Sequence, residues 1–514
     1  MALATIREWR NSFAPINRIP TDILSLVPAY LPSQNDLFRT ASVCRHWRGV
    51  LLTRAALWSQ LFLANGADYT STLLERAKGS ALDIIAHRNV PVGIISLISP
   101  RAQQIKYLDF SKGRWKDIIA FSEFNSGRLP LLRTLKIETY DLGGHPASTS
   151  SPFFGGSVNL EQFVFNSDEP SPLSHFVFPN LTTFELSSLP IEEYSALYLL
   201  NFLKATPTLQ TVKTMISPGI VLGNVPQGMV VDLPNVETFS LHVVDDIARH
   251  AYDVATHISC PRARYTSLTQ ETYDHDIDSN LEIFPTPILW NTIVRQYMAS
   301  QIEEVTVDIK ISEGEGVESF LSFRSSDASV VRLGFEVSET EGDEDELSMS
   351  LAAIGWEIFS RALTTIQVHP QLSHVKRLHI EYRAALWGTF EWRPMAIKVE
   401  ELFNSLGPLD ELTICGCDLH IFLASFVDHM GVDNSAGPFL FPWIKDLKIL
   451  HPLMEAREME CMHGIVEFVK AQHARGIPFE RVTVRMWSLP RGMAEELGRW
   501  VGLVDCREER YTHV

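Results

Sequence analysis

Cysteine, histidine and carboxylate are the side chains that build metal and catalytic centres, and this chain gathers them in few places. Cys415, Cys417 and His420 stand close together, and Cys461 with His463 follows further on. Zinc takes four ligands in a tetrahedron, with paired thiolates usually two to four residues apart. A single residue between Cys415 and Cys417 is too tight for that pairing, so these read as core cysteines. Asp274, His275, Asp276 and Asp278 have the carboxylate density of a calcium loop. They lack its turn glycine and its closing glutamate, and they read as a polar loop. There is no phosphate-cradling GxxxxGK[ST] loop, no Gly-rich dinucleotide fingerprint after a strand, no HExxH and no GxSxG elbow. The other histidines and carboxylates form no visible constellation. The expectation is therefore no catalytic residue, no cofactor, no metal and no enzymatic activity, in a protein that works by binding.

Composition narrows what it binds. The 514 residues are 45% hydrophobic, 10% aromatic and 21% charged, as in ordinary globular chains. A net charge of −18 argues against nucleic acid, which asks for a basic footprint. Six scattered cysteines are too few for a disulfide framework. Arg7, Glu8 and Arg10 interrupt the start where a secretory signal would be apolar. No apolar run reaches the roughly 18 residues needed to span a bilayer. The expected setting is cytoplasmic or nuclear, away from membranes, with reduced thiols.

From Ile105 onward one phrase recurs: apolar, two variable, apolar, one variable, apolar. It occurs at Ile105/Leu108/Phe110, Leu132/Leu135/Ile137, Leu160/Phe163/Phe165, Leu181/Phe184/Leu186, Leu209/Val212/Thr214 and Val236/Phe239/Leu241. It continues at Ala263/Thr266/Leu268, Ile302/Val305/Val307, Val330/Leu333/Phe335, Val375/Leu378/Ile380, Leu409/Leu412/Ile414, Ile444/Leu447/Ile449 and Phe479/Val482/Val484. Gly79/Leu82/Ile84 reads as an irregular first copy. Three apolar coincidences mean little in so apolar a chain; spacing and punctuation mean more. Successive starts lie 27, 28, 21, 28, 27, 27, 39, 28, 45, 34, 35 and 35 residues apart. Proline falls one or two residues before the first apolar position in eight of thirteen copies: Pro130, Pro179, Pro207, Pro234, Pro261, Pro408, Pro442 and Pro478. Proline there sets the turn into a strand and stops a preceding helix.

Helical patterns fill several intervals, at 191–205, 287–300, 351–366, 399–406 and 458–475, with Gly476 at a C-terminal cap position. A short strand followed by a helix at this period is the signature of leucine-rich repeats, and each unit completes its core only against its neighbours. The fold class expected is α/β: an irregular, horseshoe-like leucine-rich-repeat solenoid of short parallel strands and helices over residues 79–505. Most copies lack the consensus asparagine after the last leucine, so the array resembles the degenerate repeats of fungal F-box proteins. Inside each phrase the apolar positions point to the core and the variable ones face outward. The last copies therefore offer a candidate substrate face of Lys376, Arg377, His379, Asp410, Glu411, Lys445, Lys448 and Arg481, with Thr413, Asp446, Glu480 and Thr483 among them. Its mixed signs suit a partner with a charge pattern of its own. The acidic run 338–348 and the Gly/Ser/Thr/Pro stretch 143–157 read as surface insertions.

Ahead of the repeats, residues 14–63 form a separate small module. Thr21 or Asp22 is placed to cap a first helix after Pro20, with Ile23, Leu24, Val27 and Leu31 at helical spacing. Pro28 should end or kink that helix. Asn35 or Asp36 is placed to cap a second helix carrying Leu37, Phe38, Ala41, Val43, Cys44 and Trp47, and Leu57, Trp58, Leu61 and Phe62 suggest a short third one. That is more apolar surface than one bundle interior uses, so part of it faces a partner. The ordered set Ile19-Pro20, Ile23-Leu24, Leu31, Leu37, Val43-Cys44, Trp47-Arg48 and Leu57-Trp58 resembles an F-box, with Ile19 where leucine is usual.

The resemblance implies an all-α module that docks on a Skp-type adaptor and, through it, on cullin and RING subunits. It implies Ile19, Pro20, Ile23, Leu24, Leu31, Leu37, Val43, Cys44, Trp47, Leu57 and Trp58 as adaptor-binding residues, with Val43, Cys44, Trp47, Leu57 and Trp58 as the strongest anchors. The chain would then be the substrate-recognition subunit of an SCF-type ubiquitin ligase, its repeats holding an unknown protein substrate. A non-degradative protein-interaction scaffold is the alternative.

Overall fold

In the computed structural model the chain forms two compact units, Met1–Pro190 with Asn201–Leu209, and Ile191–Leu200 with Gln210–Val514. The structure describes residues 19–139, 154–187, 196–216, 225–244, 254–272, 302–337, 374–384, 408–416, 444–450, 458–486 and 492–508, with short gaps inside several of these spans. The expected loops at 274–278 and 338–348, most of 143–157, and the expected helices at 287–300, 351–366 and 399–406 lie outside the described residues.

The first unit opens with short helices. The helix after Pro20, α1 (Thr21–Leu24), is a single turn closed by the Leu24 N–H on the Pro20 carbonyl at 2.8 Å. The chain then tightens into a 3-10 turn, Val27–Tyr30, which contains Pro28. A missing N–H there breaks the helix, as the sequence foretells. The second helix is not continuous to Trp47. It is two helices, α2 (Gln34–Ala41) and α3 (Arg45–Thr53). The Ser42 hydroxyl donates to the Phe38 carbonyl at 2.8 Å, and the Val43 N–H closes a turn on the Thr40 carbonyl at 3.2 Å. Cys44 is extended (φ −158, ψ 172), and its Sγ accepts the Trp47 N–H at 3.5 Å, which makes it the N-cap of α3. The thiol does what a serine hydroxyl does elsewhere. No third helix spans Leu57–Phe62. A 3-10 turn, Ala55–Trp58, leads into strand β1 (Gln60–Phe62), because sheet pairing competes for that segment and wins.

Five further strands follow in this unit: β2 (Leu82–Ile85), β3 (Ile105–Ser111), β4 (Thr134–Thr139), β5 (Gln162–Ser167) and β6 (Thr183–Leu186). They pair parallel and in chain order, β1-β2-β3-β4-β5-β6. Helices α4 (Ala67–Ala77), α5 (Val92–Ile98) and α6 (Trp115–Phe124) follow β1, β2 and β3, and each packs on the next. The apolar phrases fall into rows across the sheet: Ile84, Leu108, Leu135, Phe163 and Phe184 are successive register partners, and so are Phe110, Ile137, Phe165 and Leu186. All of these are buried. Phe163 is the hub, with the rings of Phe176, Phe178 and Phe202 at centroid distances of 4.9, 5.2 and 6.1 Å.

The prolines have a specific task. The Leu132, Leu181, Leu209, Val236 and Ala263 N–H groups each donate to the carbonyl three residues back, at 3.0 to 3.3 Å. Pro130, Pro179, Pro207, Pro234 and Pro261 occupy the second position of those turns, where a fixed φ favours the turn. Side chains in the turns stitch neighbouring copies: Asn159 Nδ2 to the Pro130 carbonyl at 2.7 Å, Asn180 Nδ2 to the Val158 carbonyl at 2.6 Å, and Thr208 Oγ1 to the Pro179 carbonyl at 3.0 Å. Helix α7 (Ala196–Lys204) occupies part of the helical pattern at 191–205.

The second unit contains β7 (Thr211–Ile216), β8 (Val231–Asp232), β9 (Thr238–Val244), β10 (Ile258–Ser259), β11 (Tyr265–Thr272), β12 (Ile302–Ser312), β13 (Gly316–Ser325) and β14 (Val330–Val337). It continues with β15 (Arg377–Ala384), β16 (Leu409–Gly416), β17 (Ile444–Leu450), β18 (Arg481–Met486) and β19 (Leu503–Glu508). Strands β7, β9 and β11 pair parallel in order, and so do β15 to β19. Between the two runs the order reverses. β14, not β12, lies against β11; β13 runs antiparallel between β14 and β12; and β12 pairs parallel with β15. The broken spacing between Leu268 and Val375 is this inserted meander. It also shifts the frame by two residues, since Leu268 faces Leu333 and not Phe335. β8 and β10 form a separate small parallel pair. Helix α8 (Glu458–Ala474) follows β17 and packs on α9 (Met493–Leu497), which follows β18. Gly476 lies just past α8 with φ +78, and its N–H reaches the His473 carbonyl at 2.9 Å. This left-handed conformation suits glycine. Among the described residues no helix is long and apolar enough to cross a membrane.

Candidate functional site

Two surfaces carry the candidate binding residues. In the helical N-terminal region, Leu24, Trp47 and Val50 form a buried cluster on which Ile19 and Cys44 pack. Leu37 is also buried, at 5% exposure, and Leu57 is half-buried. Trp58 is completely buried. Its Nε1 donates to the Leu51 carbonyl at 2.9 Å, Phe38 meets it edge-on at 5.4 Å, and the Arg76 guanidinium lies over its ring at 4.6 Å. Leu24, Leu37, Trp47 and Trp58 are thus interior groups and hold the module together. The break at Ser42–Cys44 turns Trp47 inward onto Leu24.

What faces solvent is a different apolar set. Ile23 is 50% exposed, Leu26 56%, Val43 58% and Tyr30 86%, with Pro20 exposed beside them. Val43 and Ile23 were among the expected residues; Leu26 and Tyr30 were not. Both lie off the stripe of Ile23, Leu24, Val27 and Leu31, which is the signal the sequence held for them. Leu31 lies outside the described residues. Gln34 links this region to β1 and α4: its Nε2 donates to the Gln60 carbonyl at 2.7 Å, and its Oε1 accepts from the Tyr69 hydroxyl at 2.8 Å.

The second surface is the outward side of β15 to β19. Lys376, Arg377 and Lys445 are exposed, Arg481 is exposed, and His379, Asp410, Glu411 and Lys448 are half-buried. Thr413 and Thr483 are buried beneath longer neighbours. The charges pair sideways across strands. Lys445 Nζ donates to Asp410 at 2.6 Å, Lys448 Nζ to Glu411 at 2.6 Å, and Arg481 meets Asp446 at 3.6 Å. Arg377 meets Glu304 of β12 at 3.3 Å, and His379 faces Glu381 at 3.3 Å. The hydrogen bond and charge of Asp410 raise the Lys445 pKa. Such solvent-facing pairs are screened by water and contribute little to stability, so a partner can rearrange them at small cost.

A depression of about 520 Å³ opens at the end of this strip, lined by Lys448, Leu450, Arg481, Thr483, Arg485, Leu503, Val504 and Asp505. Strand β19 was missed by sequence reasoning. Its signal is Val501/Val504/Cys506, one more copy of the apolar phrase, which begins 22 residues after Phe479.

Of the metal candidates, Cys415 is half-buried in β16 and His463 is exposed on α8, while Cys417 and His420 lie outside the described residues. No group of three or more His, Cys, Asp or Glu among the described residues is placed to hold a metal ion.

The N-terminal geometry combines short helices, an apolar core and a separate exposed apolar set. Residues 16–64 match the F-box-like family model. F-box-like domains generally bind Skp-type adaptors, and the match supports an SCF adaptor-type role in general. A search of curated proteins found no match.

Proposed function

We propose that this chain is the substrate-recognition subunit of an SCF-type, cullin-RING ubiquitin ligase. The observation that carries the reading is the F-box-like match over residues 16–64, together with the exposed apolar set Ile23, Leu26, Tyr30 and Val43 inside it. Docking on a Skp-type adaptor would cover that set, and cullin and RING subunits would join through the adaptor. The remaining strands are read as degenerate leucine-rich repeats. Support comes from their parallel, in-order pairing, the repeated proline turn and the rows of buried phrase residues. In this reading the outward side chains of β15 to β19 hold a protein substrate.

The chain performs no chemistry itself. Ubiquitin transfer belongs to the RING subunit and a conjugating enzyme, and this subunit supplies proximity, raising the effective concentration of substrate lysines near activated ubiquitin. Work in the cytoplasm or nucleus accords with that role. The test is co-expression of the full chain with a Skp-type adaptor and cullin. Proximity labelling in cells, with and without proteasome inhibition, then reads the outcome. Partners that accumulate on inhibition support degradation, while a stable partner set unchanged by inhibition assigns the chain to non-degradative scaffolding.

A further inference from the structure

Strand β19 ends the run of parallel strands that starts at β15, and among the described residues it pairs with β18 alone. Its Leu503 N–H reaches the Glu480 carbonyl of that neighbour at 3.2 Å. Backbone groups alternate in direction along a strand, so Leu503, Asp505 and Arg507 turn theirs to β18. Val504, Cys506 and Glu508 then present N–H and C=O groups to the open edge. The core is unfinished at the same place. Val482 and Val484 are completely buried, whereas their register partners Val504 and Cys506 are only half-buried. An open edge of this kind is a template for another strand.

Charge decides which strand. Asp505 and Arg507 share the outward face of β19 and meet at 2.9 Å. We infer that the edge of β19 binds the β19 edge of a second copy of this chain, antiparallel, about a twofold axis at Cys506. Such an axis, perpendicular to the sheet, keeps core-facing side chains on one side and brings edge-facing backbone groups only against edge-facing ones. Cys506 exchanges both backbone hydrogen bonds with its counterpart, and Val504 pairs with Glu508 of the other copy at each end. Asp505 then stands opposite Arg507 of the other copy, and the symmetry makes this contact twice. Opposite charges at facing positions stabilise a sheet, and like charges oppose it. Sliding the strands by two residues either way sets Asp505 against Asp505, or Arg507 against Arg507. The charges therefore select one register, and they select this chain as its own partner. The interface is small, so a Kd of roughly 10–100 μM is expected: the dimer forms in concentrated solution and dissociates on dilution. The inference stands apart from the ligase reading.

The test is sedimentation equilibrium of the full chain at up to about 200 μM, above that Kd. A dimer that dilution reverses is expected. Asp505→Arg and Arg507→Asp, each alone, should weaken it at least tenfold, because each sets like charges opposite one another. An equal mixture of the two variants should dimerise again, since each copy then faces the opposite sign. That rescue also shows that both variants are folded. Cys506→Pro removes a donor that points away from β18, as an edge strand tolerates, and should abolish the dimer with melting little changed. A monomer at every concentration overturns the inference. So does a dimer that both charge variants leave intact, a mixture that fails to recover it, or a dimer that survives Cys506→Pro.

Discussion

Replacing Ile23, Leu26 and Val43 together by serine separates docking from folding. Full burial of such a side chain is worth about 1.5–3 kcal/mol. Exposures of 50%, 56% and 58% mean that folding has already buried roughly half of each. Docking recovers the rest, about 1 kcal/mol per residue and about 3 kcal/mol for the three, or roughly a hundredfold in Kd. The interior cluster of Leu24, Trp47 and Val50 is untouched. The assay is titration calorimetry of the full chain against a Skp-type adaptor, with circular dichroism melting as the control for folding. A loss near a hundredfold with a small shift in melting is expected. An affinity within threefold of the unmodified chain would refute the assignment of this exposed set as the docking surface. The contrasting change is Trp47→Ala, which cuts into the core at about 3–5 kcal/mol and abolishes adaptor binding by unfolding the module.

Trp58→Ala should cost about 3–5 kcal/mol, because removing a completely buried indole leaves a cavity and deletes its N–H bond to the Leu51 carbonyl; denaturant unfolding measures it. The Lys448–Glu411 pair should show a coupling of about 1 kcal/mol or less in a double-mutant cycle, falling with added salt. Burial raises the Asp83 pKa, with Lys106 opposing it. A carboxyl whose folded pKa lies above its unfolded value favours folding when protonated, so its contribution to stability grows as pH falls through the folded pKa. Asp83→Asn should therefore stabilise the chain above that pKa and flatten this part of the pH profile, as read by chemical denaturation. Burial and the nearby Asp232 push the Cys260 thiol up to about 12, so Cys260 should resist alkylation in the native chain and react only on unfolding.

Strands were legible where sequence and packing agree. The phrase at Leu135, Phe163 and Phe184 lands in one buried row, because a turn restarts the strand at the same point in each copy, with Pro130 and Pro179 at its second position in two of them and Val158 in the third. The meander of β12 to β14 was not legible, since period and order both assume that each new strand stacks on the last. β13 breaks that assumption by returning antiparallel. In the N-terminal region the number of apolar residues correctly implied more surface than one core needs, but not which residues supply it. That division depended on two local events: the proline break before Tyr30, and Cys44 capping α3 through its thiol. The mixed charge of the outward strip was legible from alternation, whereas its sideways pairing needed the strand register.

A joint between the N-terminal module and a Skp-type adaptor is measured by size-exclusion chromatography with light scattering on the co-expressed full chain and adaptor. One species at the summed mass of one copy of each is expected, dissociated by the triple serine change. Separate elution of two folded proteins would contradict it.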